Sequence, residues 1–244
     1  MRRVAIGFVL GLAAFCPVPA MADITVLSPG IVNGPLRVLA GQWTARTGQK
    51  VTITGANVGR IRESVQAGAP ADLVLAPTAD FKGFAARLAG APVTVGRIQF
   101  GVVVKKGGRH PDISTEEKFI AFARDAGALA FTDPVRGSLS GAMVADMLKR
   151  PQFAGVRPVP VRGMIGDAIV RGDAEFGGGA ISEELMAGGA EVVGPFPDSL
   201  GLFIDMSGAV LGASPNADEA RAFLVWIVRP DSAGVWQKGG IVAP

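Results

Sequence analysis

Short apolar runs that end in Gly, Ser, Pro or Asn alternate with helix-periodic stretches from residue 23 onward, and this alternation restricts the fold more than any other feature. Parallel strands need a long crossover, usually a helix, so the alternation predicts a largely parallel α/β architecture. Asp23–Leu27 is expected as a first strand ending at Ser28-Pro29-Gly30. Leu36, Leu39, Ala40 and Trp43 follow at i, i+3, i+4 and i+7, one face of an amphipathic helix. Val51–Thr54 is expected as a second strand, Gly55–Gly59 as a loop, Arg60–Ala67 as a short helix and Asp72–Leu75 as a buried strand.

A second block begins near Val93. It offers a strand at Gln99–Val104 and a helix at Thr115–Arg124 behind Ser114 as N-cap. A strand at Ala128–Phe131 leads into the loop Asp133–Gly141, and Met143, Val144, Met147 and Leu148 form a further helical stripe. Ala174–Ala180 is expected as a glycine-rich strand, Leu202–Leu211 as a late strand, and Ala220, Phe223, Leu224 and Ile227 mark a last helix. Two α/β lobes fit this order, with residues 97–200 inserted into a first lobe of 23–96 and 201–244. The chain is expected to cross between them near Val95–Gln99 and Pro195–Leu202.

Arg2 and Arg3, the apolar run Val4–Phe15, and Ala20 and Ala22 at the −3 and −1 positions form the pattern of a secretory signal peptide cleaved after Ala22. The run is shorter than the roughly 20 apolar residues of a membrane span. Removing the leader leaves 22 basic against 21 acidic residues, so the overall +3 charge does not describe a basic surface, and no nucleic-acid partner is expected. Cys16 lies in the leader, which leaves no disulfide or thiolate metal site in the mature chain. His110, the single histidine, sits in a Gly-Gly-Arg-His-Pro loop and is expected to be solvated; no metal, cofactor or catalytic triad is expected. Trp43, Trp226 and Trp236 are expected in packing.

Ligands of open α/β sheets bind beyond the carboxyl ends of strands. Ser28-Pro29-Gly30, Asn57-Val58-Gly59 and the Gly137–Gly141 loop with Ser138, Ser140 and Gly141 all fall at such places. Helix N-termini there carry unpaired N–H groups and partial positive charge, which suits an anion. Arg60, Arg97 at the proposed crossing and Arg136 could grip a carboxylate with paired hydrogen bonds. Ser182 could present a hydroxyl, or it could open a helix whose Glu183 and Glu184 compensate the dipole. Gly177-Gly178-Gly179 lacks the Lys-Ser/Thr ending of a phosphate loop.

The runs Asp23-Ile24-Thr25-Val26, Gln66–Asp72, Asp133-Pro134 and Gly172–Gly177, with the late helix, resemble the periplasmic molybdate-binding proteins of bacterial importers. The resemblance implies a type 2 periplasmic binding protein fold with two hinge crossings, a permease partner and a monomeric receptor. It also exposes departures. Ile31 and Val58 stand where that family places serines on its oxyanion, and Ala180 stands nearest its contacting tyrosine. Neither Ile31 nor Val58 can donate a side-chain hydrogen bond, which favours an organic carboxylate over molybdate or tungstate. The Asp133–Gly141 loop and Ile181-Ser182-Glu183 resemble a divergent branch that includes aconitate isomerases. That branch implies an alternative, a periplasmic isomerase acting on a tricarboxylate, with Glu183 as its one candidate base.

Overall fold

A computed structural model describes residues 22–136, 138–184 and 188–243. The expected leader, apart from Ala22, lies outside these residues, as do Gly137 and the side chain of Arg136. The chain runs β1 (Ile24–Pro29), α1 (Asn33–Thr47), β2 (Val51–Ala56), α2 (Val58–Gln66), β3 (Leu73–Pro77) and β4 (Val93–Lys105). It continues with α3 (Glu116–Ala126), β5 (Ala128–Thr132), α4 (Leu139–Leu148), β6 (Arg157–Val161), α5 (Ile165–Arg171), β7 (Phe176–Ala180) and α6 (Ile181–Glu184). Last come β8 (Ala190–Pro195), β9 (Phe203–Val210), α7 (Ala217–Val228), α8 (Ala233–Lys238) and β10 (Ile241–Val242).

The strands build two lobes, each an α/β layer. In one, β2, β1 and β3 lie parallel while β9 runs antiparallel between β3 and β4. In the other, β7, β5 and β6 lie parallel, and β4 pairs antiparallel with both β7 and β8. Strand β4 serves both lobes: Val93–Gln99 pairs with β9, and Phe100–Val104 with β7. The chain returns through residues 196–202, where the Phe196 N–H donates to the Phe100 carbonyl at 2.8 Å. These are the two crossings of a two-lobed binding-protein fold.

Packing explains why the elements form where they do. Leu36, Leu39 and Trp43 bury the inner face of α1, and Trp43 meets Phe223 and Trp226 edge-on at 5.7 Å. Trp236 is buried as well. Phe119, Phe153, Phe176 and Phe196 form the corresponding nucleus of the other lobe. In β7 the three glycines are steric necessities: a Cβ at Gly178 would stand 2.7 Å from the Phe196 ring, and one at Gly177 would strike Ile165.

Several element boundaries depart from expectation. β1 and β2 extend through Pro29 and Ala56, so Gly55 lies in a strand. α2 begins at Val58, placing Gly59 and Arg60 inside it, because Asn57 caps the helix by accepting from the Arg60 N–H at 2.8 Å. Thr115, not Ser114, caps α3, accepting from the Lys118 N–H at 3.3 Å.

Candidate functional site

Three helices begin at the same cavity. The Gly30–Val32 turn leads into α1, Asn57 caps α2, and Ser138 caps α4 through its Oγ, which accepts from the Gly141 N–H at 3.1 Å. Gly30, Ile31 and Asn33, then Asn57 and Val58, then Ser138, Leu139 and Ser140 line a space of about 590 Å³ between the lobes. Pro77 and the β9 residues Ile204 and Met206 complete its wall with Thr132, Arg37 and Glu183. The volume falls within the 300–1,000 Å³ or so usual for small-molecule sites.

The first turns of α1, α2 and α4 contain no acidic residue. By contrast α3 opens with Glu116 and Glu117, and α7 with Asp218 and Glu219. Acids in a first turn neutralise the positive end of the helix dipole. The helices that open on the cavity therefore keep that potential, and their first N–H groups have no partner within the helix. Each suits an anionic group. α4 packs down on β5 because a Cβ at Gly141 would collide with the Thr132 carbonyl. Ser140 Oγ, 3.0 Å from Ser138 Oγ, is buried against this turn.

Of the residues expected at the site, the structure brings Pro29, Gly30, Asn57, Val58, Ser138 and Ser140 to the cavity wall. Gly141 supports that wall from beneath without lining it. Ser28 is fully buried, its Oγ donating to the Pro29 carbonyl at 3.4 Å, and Gly59 is not on the wall either. Arg60 points to solvent and sits 3.8 Å from Glu63 one turn on. Ser182 is buried, its Oγ has no partner among the described residues, and it does not line the cavity. Arg97 also lies off the cavity wall. It faces Asp205, its register partner on β9, with bonds of 2.7 and 3.1 Å, and covers the Phe203 ring at 3.8 Å. A strand residue directly opposite an acid spends its guanidinium there, away from the cavity.

Asn33 and Arg37 were not among the expected residues, yet both line the cavity, and Asn33 Oδ1 has no hydrogen-bond partner among the described residues. Their positions on α1 carry no local signal, since the apolar stripe of that helix fixes only which face is buried. Ile31 and Val58 do reach the wall, as apolar surface, whereas Ala180 is buried within β7. Among the described residues Glu183 is the sole acid of the wall, and burial raises its pKa. Its neighbour Glu184 is pushed up to about 8 by burial and then by the charge of Glu183. His110 lies far along β4's end of the molecule, 2.8 Å from Glu191 Oε1.

Comparison with known proteins agrees with this architecture. The sequence model of a family described as bacterial extracellular solute-binding protein matches residues 24–242. A protein described as aconitate isomerase, from Pseudomonas sp, is 27% identical over 247 residues, covering 95% of this chain and 94% of its own. The periplasmic molybdate-binding protein of Azotobacter vinelandii superposes with a TM-score of 0.69 at 17% identity, over 91% of this chain and 100% of that one. A tungstate-binding protein from Desulfovibrio alaskensis G20 gives 0.65 at 15% identity, over 87% and 92%.

Proposed function

Since the chain belongs to the family of bacterial extracellular solute-binding proteins, we propose that it captures a small organic carboxylate in the interlobe cavity and delivers it to the permease of an ABC-type importer. The observation that carries this reading is the convergence of three acid-free helix N-termini on one cavity. An anion that touches α1 and α2 on one side and α4 on the other favours the closed form through contacts the open form cannot make. We take residues 23–96 and 201–244 as one lobe and 97–200 as the other, with an exported, monomeric protein working in the periplasm. Arg37 supplies a cation able to pair with a carboxylate. The apolar surfaces of Ile31 and Val58 suit a carbon skeleton better than a tetrahedral oxyanion that needs donors on every side.

Thermal-shift measurements with citrate, tricarballylate, trans-aconitate, molybdate, tungstate and sulfate test the reading. A carboxylate at about 100 times its Kd should add close to 2.7 kcal/mol of stability. Stabilisation by molybdate or tungstate alone, at low micromolar concentration, would overturn the choice of ligand class.

A second reading has one observation in its favour: a carboxyl group, Glu183, reaches the wall of the cavity with a raised pKa. In an isomerase, Glu183 would take a proton from the methylene beside the double bond of aconitate and return one at the far alkene carbon. Incubating trans-aconitate with concentrated protein and following the cis form by proton NMR decides this; no conversion removes the enzyme.

A further inference from the structure

Among the described residues, no ion pair engages Glu183, which lines the cavity, or Glu184 beside it. Glu183 is the one acidic side chain among the described residues of a wall otherwise furnished with helix N-termini and Arg37. Behind it Glu184 is 4% exposed, and its Oε2 has no hydrogen-bond partner among the described residues. Gly179 has no Cβ where one would stand 2.9 Å from Glu184 Oε1, so the strand is cut away to admit the carboxyl. Elements packed on α6 offer little compensation. On β4, Arg97 is held by Asp205 and Lys105 stands at the far end of the strand. On β8, Glu191 accepts from the Gly107 N–H and bonds His110. β7 and the Gly30–Val32 turn carry no charged residue, nor does the Gly239-Gly240 turn that touches Ser182.

An ionised Glu183 would face the charge of any bound anion across the cavity it lines, and its partial burial makes that repulsion stronger than in bulk water. A proton converts that repulsion into a short charge-assisted O–H···O⁻ bond. Resting on the proposed anion-receptor reading, we propose that Glu183 is the specificity-determining residue of the cavity: it takes up one proton as the anion binds and donates it to the anion in a hydrogen bond. Glu184 holds a proton of its own near neutral pH because burial opposes its ionisation, so the pair passes from one proton to two on binding. Such a donor discriminates by basicity. A carboxylate oxygen shares the proton well, whereas the oxygens of a strong-acid oxyanion such as sulfate share it poorly.

The test is isothermal titration of the wild-type protein with tricarballylate and, in parallel, molybdate, each in two buffers of different ionisation enthalpy. Tricarballylate has no double bond to move, so turnover cannot distort the result. Below about pH 8, where Glu184 keeps its proton, about one proton should be taken up per anion once Glu183 of the free protein is ionised, and Kd should rise with pH. Glu183→Gln should bind with no net proton uptake and a flat pH profile. Uptake below about 0.2 proton, or a variant with the wild-type slope, overturns the proposal. Proton-coupled binding of molybdate without binding of tricarballylate would sink the carboxylate reading while leaving the role of Glu183 standing.

If neither probe binds, the ligand-free protein decides. A carboxyl whose folded pKa is raised contributes stability present at acid pH and lost as pH rises through the folded value. Glu183→Gln should therefore raise Tm more at about pH 7.5 than at about pH 4, where the carboxyl is protonated in both folded and unfolded chains. An equal effect at both pH values overturns the proposal.

Discussion

Asp72 ties together three segments that are distant in sequence. Its carboxylate accepts from the Thr25 N–H at 2.8 Å, the Ser214 hydroxyl at 2.6 Å and the Asn216 amide at 3.3 Å, and it is buried. The Gln66–Asp72 run, one of those that carry the family resemblance, thus ends in the scaffold beneath β1 and β3 and not at the cavity. Arg97 follows the same logic. Its guanidinium is engaged by Asp205 and the Phe203 ring, so Arg97→Ala should leave ligand affinity within about twofold, since a partly exposed pair of this kind contributes little. Titration calorimetry checks this, and loss of binding would return the guanidinium to the site. Residue type made Arg97 a reasonable candidate; the partner standing opposite, 108 positions away, could not be read from one strand.

At the level of elements, the positive ends of three helices carry the function, and a charge placed there separates folding from binding. Val58 is the first residue of α2 and lines the cavity. Val58→Asp puts an acid where the helix dipole favours it by about 0.3–1 kcal/mol, so Tm should hold or rise. The same carboxylate faces the ligand, and Kd should increase by about tenfold or more, equivalent to roughly 1.4 kcal/mol. An unchanged Kd would mean that α2 does not address the anion. Most strands with plain apolar runs and most helices with an apolar stripe were legible in the sequence, as were the turns rich in Gly, Ser and Asn that form the cavity mouth, whereas short α5 and β8 were not expected. β6 was not, because Pro158 and Pro160 interrupt it; both are tolerated since β6 is the last strand of its sheet. Two-residue β10 is too short to leave a pattern, and it forms only because β4 presents a free edge at Arg97 and Ile98. Asn33 and Arg37 stayed hidden for a related reason: which exposed face of α1 meets the cavity is set by the other lobe.

For the molecule as a whole, one apolar cluster runs through β4 from Leu36 and Trp43 in the first lobe to Phe119 and Phe176 in the second. The two lobes should therefore unfold together. Calorimetry of the ligand-free protein is expected to show one transition whose calorimetric and van't Hoff enthalpies agree, and two resolved transitions would show the lobes to be independent. The hydrogen bond from Phe196 to Phe100 lays the two crossings side by side at a single point. Two rigid bodies joined by a pair of adjacent tapes have essentially one soft coordinate, like the covers of a book on its spine. Fluorophores placed on the outer edges of the two sheets would then report capture as a jump between two distances, and the rims of the cavity would meet in the same register at every closure.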